Sequence, residues 1–241
     1  MSQKIYEIPI WEAYEDDNCE CTLCSIEKKC DDNFIEALFA EMVMDVRLNP
    51  HLVENYDFCH EHFEKLYRYP DKCGLAVLTN RILYSKKEGM SLKVAPRKSN
   101  NKNLIKKLFS KNKETANNKK QCLLCTKLDE SMNNYIKVLI TLWVKEETFK
   151  EKYKNSRGFC LKHYNEILKL SSDIINKKNK QEEFVDITSK LQEENLNRIQ
   201  QELEWFISKF DYRYAEEPWY TSKDALKRTI QKLIGNYNTK L

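Results

Sequence analysis

A pair of cysteines two residues apart, followed after a fixed interval by a Cys-x-x-His, occurs twice in this chain and limits its folding more than any other feature. The first copy reads Cys21-Thr-Leu-Cys24, then Phe58-Cys59-His60-Glu61-His62; the second reads Cys122-Leu-Leu-Cys125, then Phe159-Cys160-Leu-Lys-His163. In each, 34 residues separate the second cysteine from the third, and a shift of 101 superimposes the copies without a gap. The same shift matches Leu23 with Leu124, Asn33 with Asn134, Ile35 with Ile136, Leu38 with Leu139 and Val43 with Val144. This is the mark of an internal duplication built around a metal.

Three thiolates and one imidazole make a closed zinc shell, and a two-residue gap lets both members of a pair face one ion. The candidate ligands are Cys21, Cys24, Cys59 and His62 in the first copy, and Cys122, Cys125, Cys160 and His163 in the second. His62 is chosen over His60 because His163 aligns with it, whereas Leu161 aligns with His60. Cys19 stands two residues before Cys21, too close to share its geometry. Two zinc ions are the first reading, and an iron–sulfur cluster held by the same donors is the alternative.

Chain length then constrains the shape. A single helix through all the intervening residues would carry the third cysteine about 50 Å from the second. The expectation is therefore that each copy runs out and back as an αα-hairpin clamped by its own metal. Asn49-Pro50 marks the turn in the first copy, and Lys145–Asn155 the returning leg in the second. Phe34, Leu38 and Met42, like Tyr135, Leu139 and Trp143, recur every four residues as core stripes.

Beyond these units, helices are expected to end at Tyr69 before Pro70, and to span 74–86, 163–176 and 180–210. The last carries Leu196, Ile199, Leu203, Phe206 and Phe210 as a bundle seam. Thr221 and Asp224 suggest a capping box for a final helix with Leu226, Ile230 and Leu233 inward and Gly235 as its stop. Cys30 and Cys73 read as small buried hydrophobes. Only four Gly and five Pro among 241 residues favour helix throughout. The fold class expected is all-α: duplicated metal-clamped αα-hairpin units packed with a C-terminal helix pair.

Charge divides the chain into three. Residues 1–85 carry −9, 86–120 carry +10 and 121–241 carry +3. The expected domains follow: a first unit at 1–85, a basic Lys/Asn-rich linker at 86–120 with a short helix near 102–110, and a second unit at 121–241. The linker offers a nucleic-acid reading, weakened because only Phe109 is interleaved with its lysines. No apolar run is long enough for a membrane span, and the N-terminus lacks a secretory core. A cytoplasmic location is expected, where cysteines stay reduced or hold metal. Gly-rich phosphate loops, His-Glu-x-x-His and Gly-x-Ser-x-Gly are missing, so no residue is assigned a catalytic role.

The order Pro9-Ile-Trp-Glu-Ala13, Cys21-x-x-Cys24, Met44-Asp-Val-Arg47, Phe58-Cys-x-x-His62, Gly74-Leu-Ala76, Gly158-Phe-Cys-Leu-Lys-His163, Trp205-Phe-x-x-Lys-Phe-Asp-Tyr212 and Ser222-Lys-Asp-Ala-Leu-x-Arg228 resembles a bacterial family catalogued as domain of unknown function 6062. The chain departs from that pattern at Cys73 and Asn80, where Leu and His are expected. The resemblance implies a Cys/His-rich protein with no established activity. It also suggests Asp45, Arg47, Trp205, Asp211, Lys223 and Asp224 as a shared site. The function expected is a zinc-holding interaction or adaptor module with a protein partner, the alternatives being an iron–sulfur or thiol redox protein and a nucleic-acid binder.

Overall fold

The structure is a computed structural model that describes residues 2–45, 54–94 and 121–236. The Asn49-Pro50 turn, Arg47, and the linker from residue 95 on lie outside the described residues. The fold is all-α, with nine α-helices among the described residues and two strands of two residues each. Contacts divide the chain into one unit of Met1–Asp32 with Leu128–Leu241 and another of Asn33–Lys127. This division interleaves the copies and does not follow the linear order expected from charge.

The first unit holds α1 (Ser2–Ala13) and the start of α2 (Thr22–Ala37). Its second segment holds the end of α5 (Leu123–Lys145), then α6 (Glu147–Lys154), α7 (Leu161–Ile174), α8 (Lys178–Ser208) and α9 (Ala225–Ile234). Its core is aromatic. Phe149 is fully buried and meets Trp11 and Tyr14 edge-on, with centroids 5.2 and 5.0 Å away. Trp143 meets Phe184 at 4.9 Å, also edge-on, the arrangement that ring quadrupoles favour. The Tyr135, Leu139, Trp143 stripe is buried as its period requires.

Three sequence expectations fail here. The α8 seam is buried at Phe184, Thr188, Leu191, Gln192 and Ile199, while Phe210 lies beyond the helix and is 78% exposed. In α9 Leu226 and Leu233 point outward, 49% and 54% exposed, Ile230 is half-buried, and Ala225, Arg228 and Lys232 are buried instead. The capping box does not form either. Thr221 Oγ1 donates to Glu202 and Asp224 pairs with Arg228. The reason is a buried carboxylate, described below, that draws the basic stripe of α9 inward. Gly235 does stop the helix, at φ +80°.

The second unit contains the end of α2, which continues as a π-helical turn over Leu38–Met42, closed by Val43 N–H donating to Leu38 O. Strand β1 (Tyr56–Asp57) pairs in parallel with β2 (Gln121–Cys122), and α3 (His60–Arg68) and α4 (Lys72–Val94) follow β1. Leu38, Phe39, Leu66, Leu78, Leu123 and Leu124 form the core, with Phe39 stacked on Tyr69 at 4.4 Å. Asp71 accepts from Gly74 N–H at the start of α4. A Cβ at Gly74 would fall 2.3 Å from that carboxylate, so a larger residue here would have to displace the Asp71 side chain. Cys30 packs partly buried against the first core, whereas Cys73 is exposed and not the buried hydrophobe expected.

Replacing Phe149 by Ala should cost about 3–5 kcal/mol, from lost transfer energy plus the cavity left behind. The change Phe210→Ala should shift stability by no more than about 0.5 kcal/mol. Denaturant midpoints of the two variants check both.

Candidate metal centres

All eight predicted ligands converge, but across the copies. Cys21, Cys24, Cys160 and His163 form one group in the first unit; Cys59, His62, Cys122 and Cys125 form another in the second. Within each group the donor atoms lie within 4.8 Å of one another, a cluster that could hold a metal ion. The expectation that each copy clamps its own hairpin is thus corrected: each Cys-x-x-Cys meets the Cys-x-x-His of the other copy. The helices explain why. After Cys125, α5 continues through Lys145, its 23 residues rising about 35 Å. The stretch from Lys145 to Cys160, with eight residues coiled in α6, would have to run back almost in line to return that distance.

Every ligand pair sits at a helix start. Cys21 and Cys24 flank the first turn of α2, and Cys122 and Cys125 that of α5. Cys160 and Cys59 are the N-cap residues of α7 and α3, with His163 and His62 on the first turn. Four N-terminal macrodipoles therefore favour anionic sulfur at the two centres.

At the first centre His163 Nδ1 lies 3.5 Å from Cys21 Sγ, 3.5 Å from Cys24 Sγ and 3.3 Å from Cys160 Sγ. Cys24 and Cys160 sulfurs are 3.6 Å apart, and His163 N–H reaches Cys160 Sγ at 3.5 Å. At the second centre His62 Nδ1 lies 3.1 Å from Cys59 Sγ and 3.3 Å from both Cys122 Sγ and Cys125 Sγ. Cys59 and Cys125 sulfurs are 3.7 Å apart.

So many donors in one place cannot all ionise by themselves. The S–H groups of Cys21 and Cys24, then His163, hold Cys160 far below the ordinary thiol range, and Cys160 and Cys21 push Cys24 far above it. Burial opposes the charge on His163, but Cys160 and Cys21 raise it to about 10. At the second centre burial opposes ionisation of Cys122, yet His62 brings its thiol down to about 6. Burial and then Cys122 drive Cys125 well up. A cation among the donors removes this conflict by keeping every sulfur as thiolate.

Outer groups orient the first centre. With Nδ1 turned to the sulfurs, buried His163 Nε2 lacks a hydrogen-bond partner but faces Glu27 at 3.8 Å and Glu166 at 4.0 Å. Both distances are longer than a hydrogen bond, so the two carboxylates act on the imidazole through their charge and not as acceptors that fix its tautomer. Glu27 is in turn held by Lys162 at 2.6 Å. The side chain of buried Gln192 brackets Phe159, accepting from its N–H at 3.0 Å and donating to its carbonyl at 2.9 Å, so the residue before Cys160 is fixed.

Sequence reasoning missed the largest polar feature. Glu20, directly before Cys21, is only 3% exposed and receives Arg198 at 2.7 Å, Arg157 at 3.1 Å, Arg228 at 3.2 Å and Lys232 at 3.4 Å. Lys232 is itself 1% exposed and also donates to the carbonyls of Glu20 and Arg157. Glu202 joins through Arg198 and Arg228. The carboxylate at position 20 and the i, i+4 basic pair of α9 were the available signal.

Of the residues suggested by resemblance, Asp224 belongs to this network through Arg228, at 2.9 Å. Lys223 is exposed. Trp205 lies in the last turn of α8 and Asp211 in the segment at 209–220 that follows it. Trp205 Nε1 donates to Pro218 O at 3.0 Å, and Asp211 accepts from Arg213 N–H. Lys209, buried, donates to the carbonyls of Tyr214, Ala215 and Glu217, so the segment is built around one ammonium. Asp45 lies in the other unit.

A family model described as a family of unknown function, DUF6062, matches residues 1–240. The chain belongs to that family. No curated protein and no solved structure matches it. For this DUF6062 chain, then, function has to be read from the centres themselves. No helix among the described residues is long and apolar enough to cross a membrane.

Glu20→Gln should destabilise the protein by about 3–5 kcal/mol at neutral pH, because it leaves buried cations uncompensated. Burial opposes the Glu20 charge, but Lys232 and Arg198 outweigh it and hold the pKa below its ordinary value. Its stabilisation is therefore complete above about pH 4.3, the unfolded value, and is lost as pH falls through the lowered folded value. The stability difference between wild type and variant, measured by denaturant melts at several pH values, should shrink across that acid range.

Proposed function

We propose that the chain holds two zinc ions for structure and acts as an interaction or adaptor module for a protein partner in the cytoplasm. The donor separations carry the zinc part. Zn–S of about 2.3 Å and Zn–N of about 2.0–2.1 Å give tetrahedral edges of about 3.6 Å between sulfur and nitrogen and about 3.8 Å between sulfurs. The separations in the two centres, 3.1–3.5 Å for S···N and 3.6–3.7 Å for S···S, are close to those edges. A [4Fe–4S] cube seats each ligand on a different iron, which asks for donors spread more widely than 4.8 Å.

Residues Cys21, Cys24, Cys160 and His163 would hold one ion, and Cys59, His62, Cys122 and Cys125 the other. The ion would supply charge neutralisation and folding energy. With four protein donors at each centre, no position remains for water or substrate, as in structural rather than catalytic sites. The partner-binding part is supported by the segment at 209–220. Phe210, Tyr212 and Tyr220 are strongly exposed on a backbone fixed by Lys209, and aromatic residues are enriched where proteins meet.

Elemental analysis of protein prepared without air should find two zinc ions per chain. Replacing Cys59 or His163 should lower zinc content and loosen the unit concerned, since binding at structural sites is worth roughly 10–16 kcal/mol. Replacing Cys30 or Cys73 by Ala should leave zinc content unchanged. Iron with acid-labile sulfide in place of zinc would overturn the reading.

A further inference from the structure

The two centres have the same donors but different cover. At the first, Cys21, Cys24, Cys160 and His163 are all completely buried. A Cβ on Gly235 would lie 3.5 Å from Cys160 Sγ and 3.7 Å from Cys24 Sγ, so the backbone that ends α9 passes directly over the sulfurs. Asn236 pins that segment by donating to Cys24 O. At the second centre only His62 is buried, while Cys59, Cys122 and Cys125 are each partly exposed. The cysteines of one set are thus partly exposed residues and those of the other are not.

We propose that the second centre is the chain's site of thiol modification, reacting with small peroxides such as hydrogen peroxide; this rests on the zinc reading above. Zinc keeps its sulfur ligands as thiolates, and the thiolate is the nucleophile. In the first step an exposed thiolate attacks one peroxide oxygen. The S–O bond forms, the O–O bond breaks, and the hydroxide that leaves takes a proton to become water. A second thiolate then attacks the sulfenic sulfur, forming S–S and breaking S–O, and the departing hydroxide is protonated to a second water. The two thiolates together give up two electrons, and the peroxide accepts two. The sulfurs of Cys59 and Cys125, 3.7 Å apart, are placed for this exchange. The ion is left with one thiolate and one imidazole, and dissociates.

This chemistry makes the chain a two-speed protein. The first centre persists as a permanent clamp while the second opens under oxidant and closes again when thiols and zinc are restored. Cys73 is exposed but belongs to neither set, so its oxidation releases no zinc, and the Cys73→Ser variant removes it from the comparison.

The test uses the full chain, wild type and C73S. Zinc content is read first. Hydrogen peroxide is then added and release followed with the chromogenic chelator 4-(2-pyridylazo)resorcinol, with disulfides mapped by peptide mass spectrometry. One of two zinc ions should leave at least ~10-fold faster than the other, as accessibility dictates, with the early disulfide among Cys59, Cys122 and Cys125, in both proteins. A reductant with added zinc should reverse it. Two zinc ions released at a common rate, or an early disulfide involving Cys21, Cys24 or Cys160, overturns the proposal and leaves the zinc reading intact. Protein that holds no zinc at the outset overturns both.

Discussion

Four donors drawn together by two helix starts, with no room for all of them to be charged unless a cation joins them, is the constraint that organises this molecule. In each centre three sulfurs and an imidazole nitrogen lie within 4.8 Å, and the N-termini that deliver them contribute partial positive charge. A proposed divalent ion with three thiolates and a neutral imidazole carries −1. At the first centre that charge lies beside Lys232, almost completely buried. Burial lowers the Lys232 pKa, while Glu20 and Cys21 act to keep its ammonium charged. The chemistry of this Cys/His centre and that of the buried ion network are therefore linked through one lysine and the adjacent pair Glu20–Cys21.

That link also accounts for the orientation of α9. An amphipathic helix ordinarily turns its leucines inward, yet here Leu226 and Leu233 face out and Arg228 and Lys232 face in. Once Glu20 is buried its charge needs partners, and leaving it alone would cost more than exposing two leucines. With α9 held in that rotation, Gly235 arrives over Cys24 and Cys160. A substituent there would meet sulfur and would also be strained at φ +80°.

Much of this was legible in the residues. The eight Cys and His residues that converge, the helical class, the stripe through Tyr135, Leu139 and Trp143, and the stop at Gly235 follow from spacing, period and backbone freedom. The pairing of the ligand sets was not, for a definite reason. The copies have identical spacing, so the set within one copy and the set across copies contain the same donors at the same intervals. Only the folded path, which brings each Cys-x-x-Cys to the Cys-x-x-His of the other copy, separates them. The inward face of α9 was hidden because apolar period alone was read, and the partner that reverses it, Glu20, lies more than two hundred residues away in sequence. Phe210 was misread as seam because a helical period was carried past Ser208, where α8 ends.

Zinc content of two double variants addresses the crossed pairing most directly. Cys21→Ser with Cys160→Ser removes two ligands from one centre as the structure groups them, and two from different copies. Cys21→Ser with Cys59→Ser removes two ligands from one copy but damages both centres. The first variant should retain one zinc ion per chain and the second none. The reverse outcome, one zinc kept by C21S/C59S and none by C21S/C160S, would mean that each copy closes on its own metal after all.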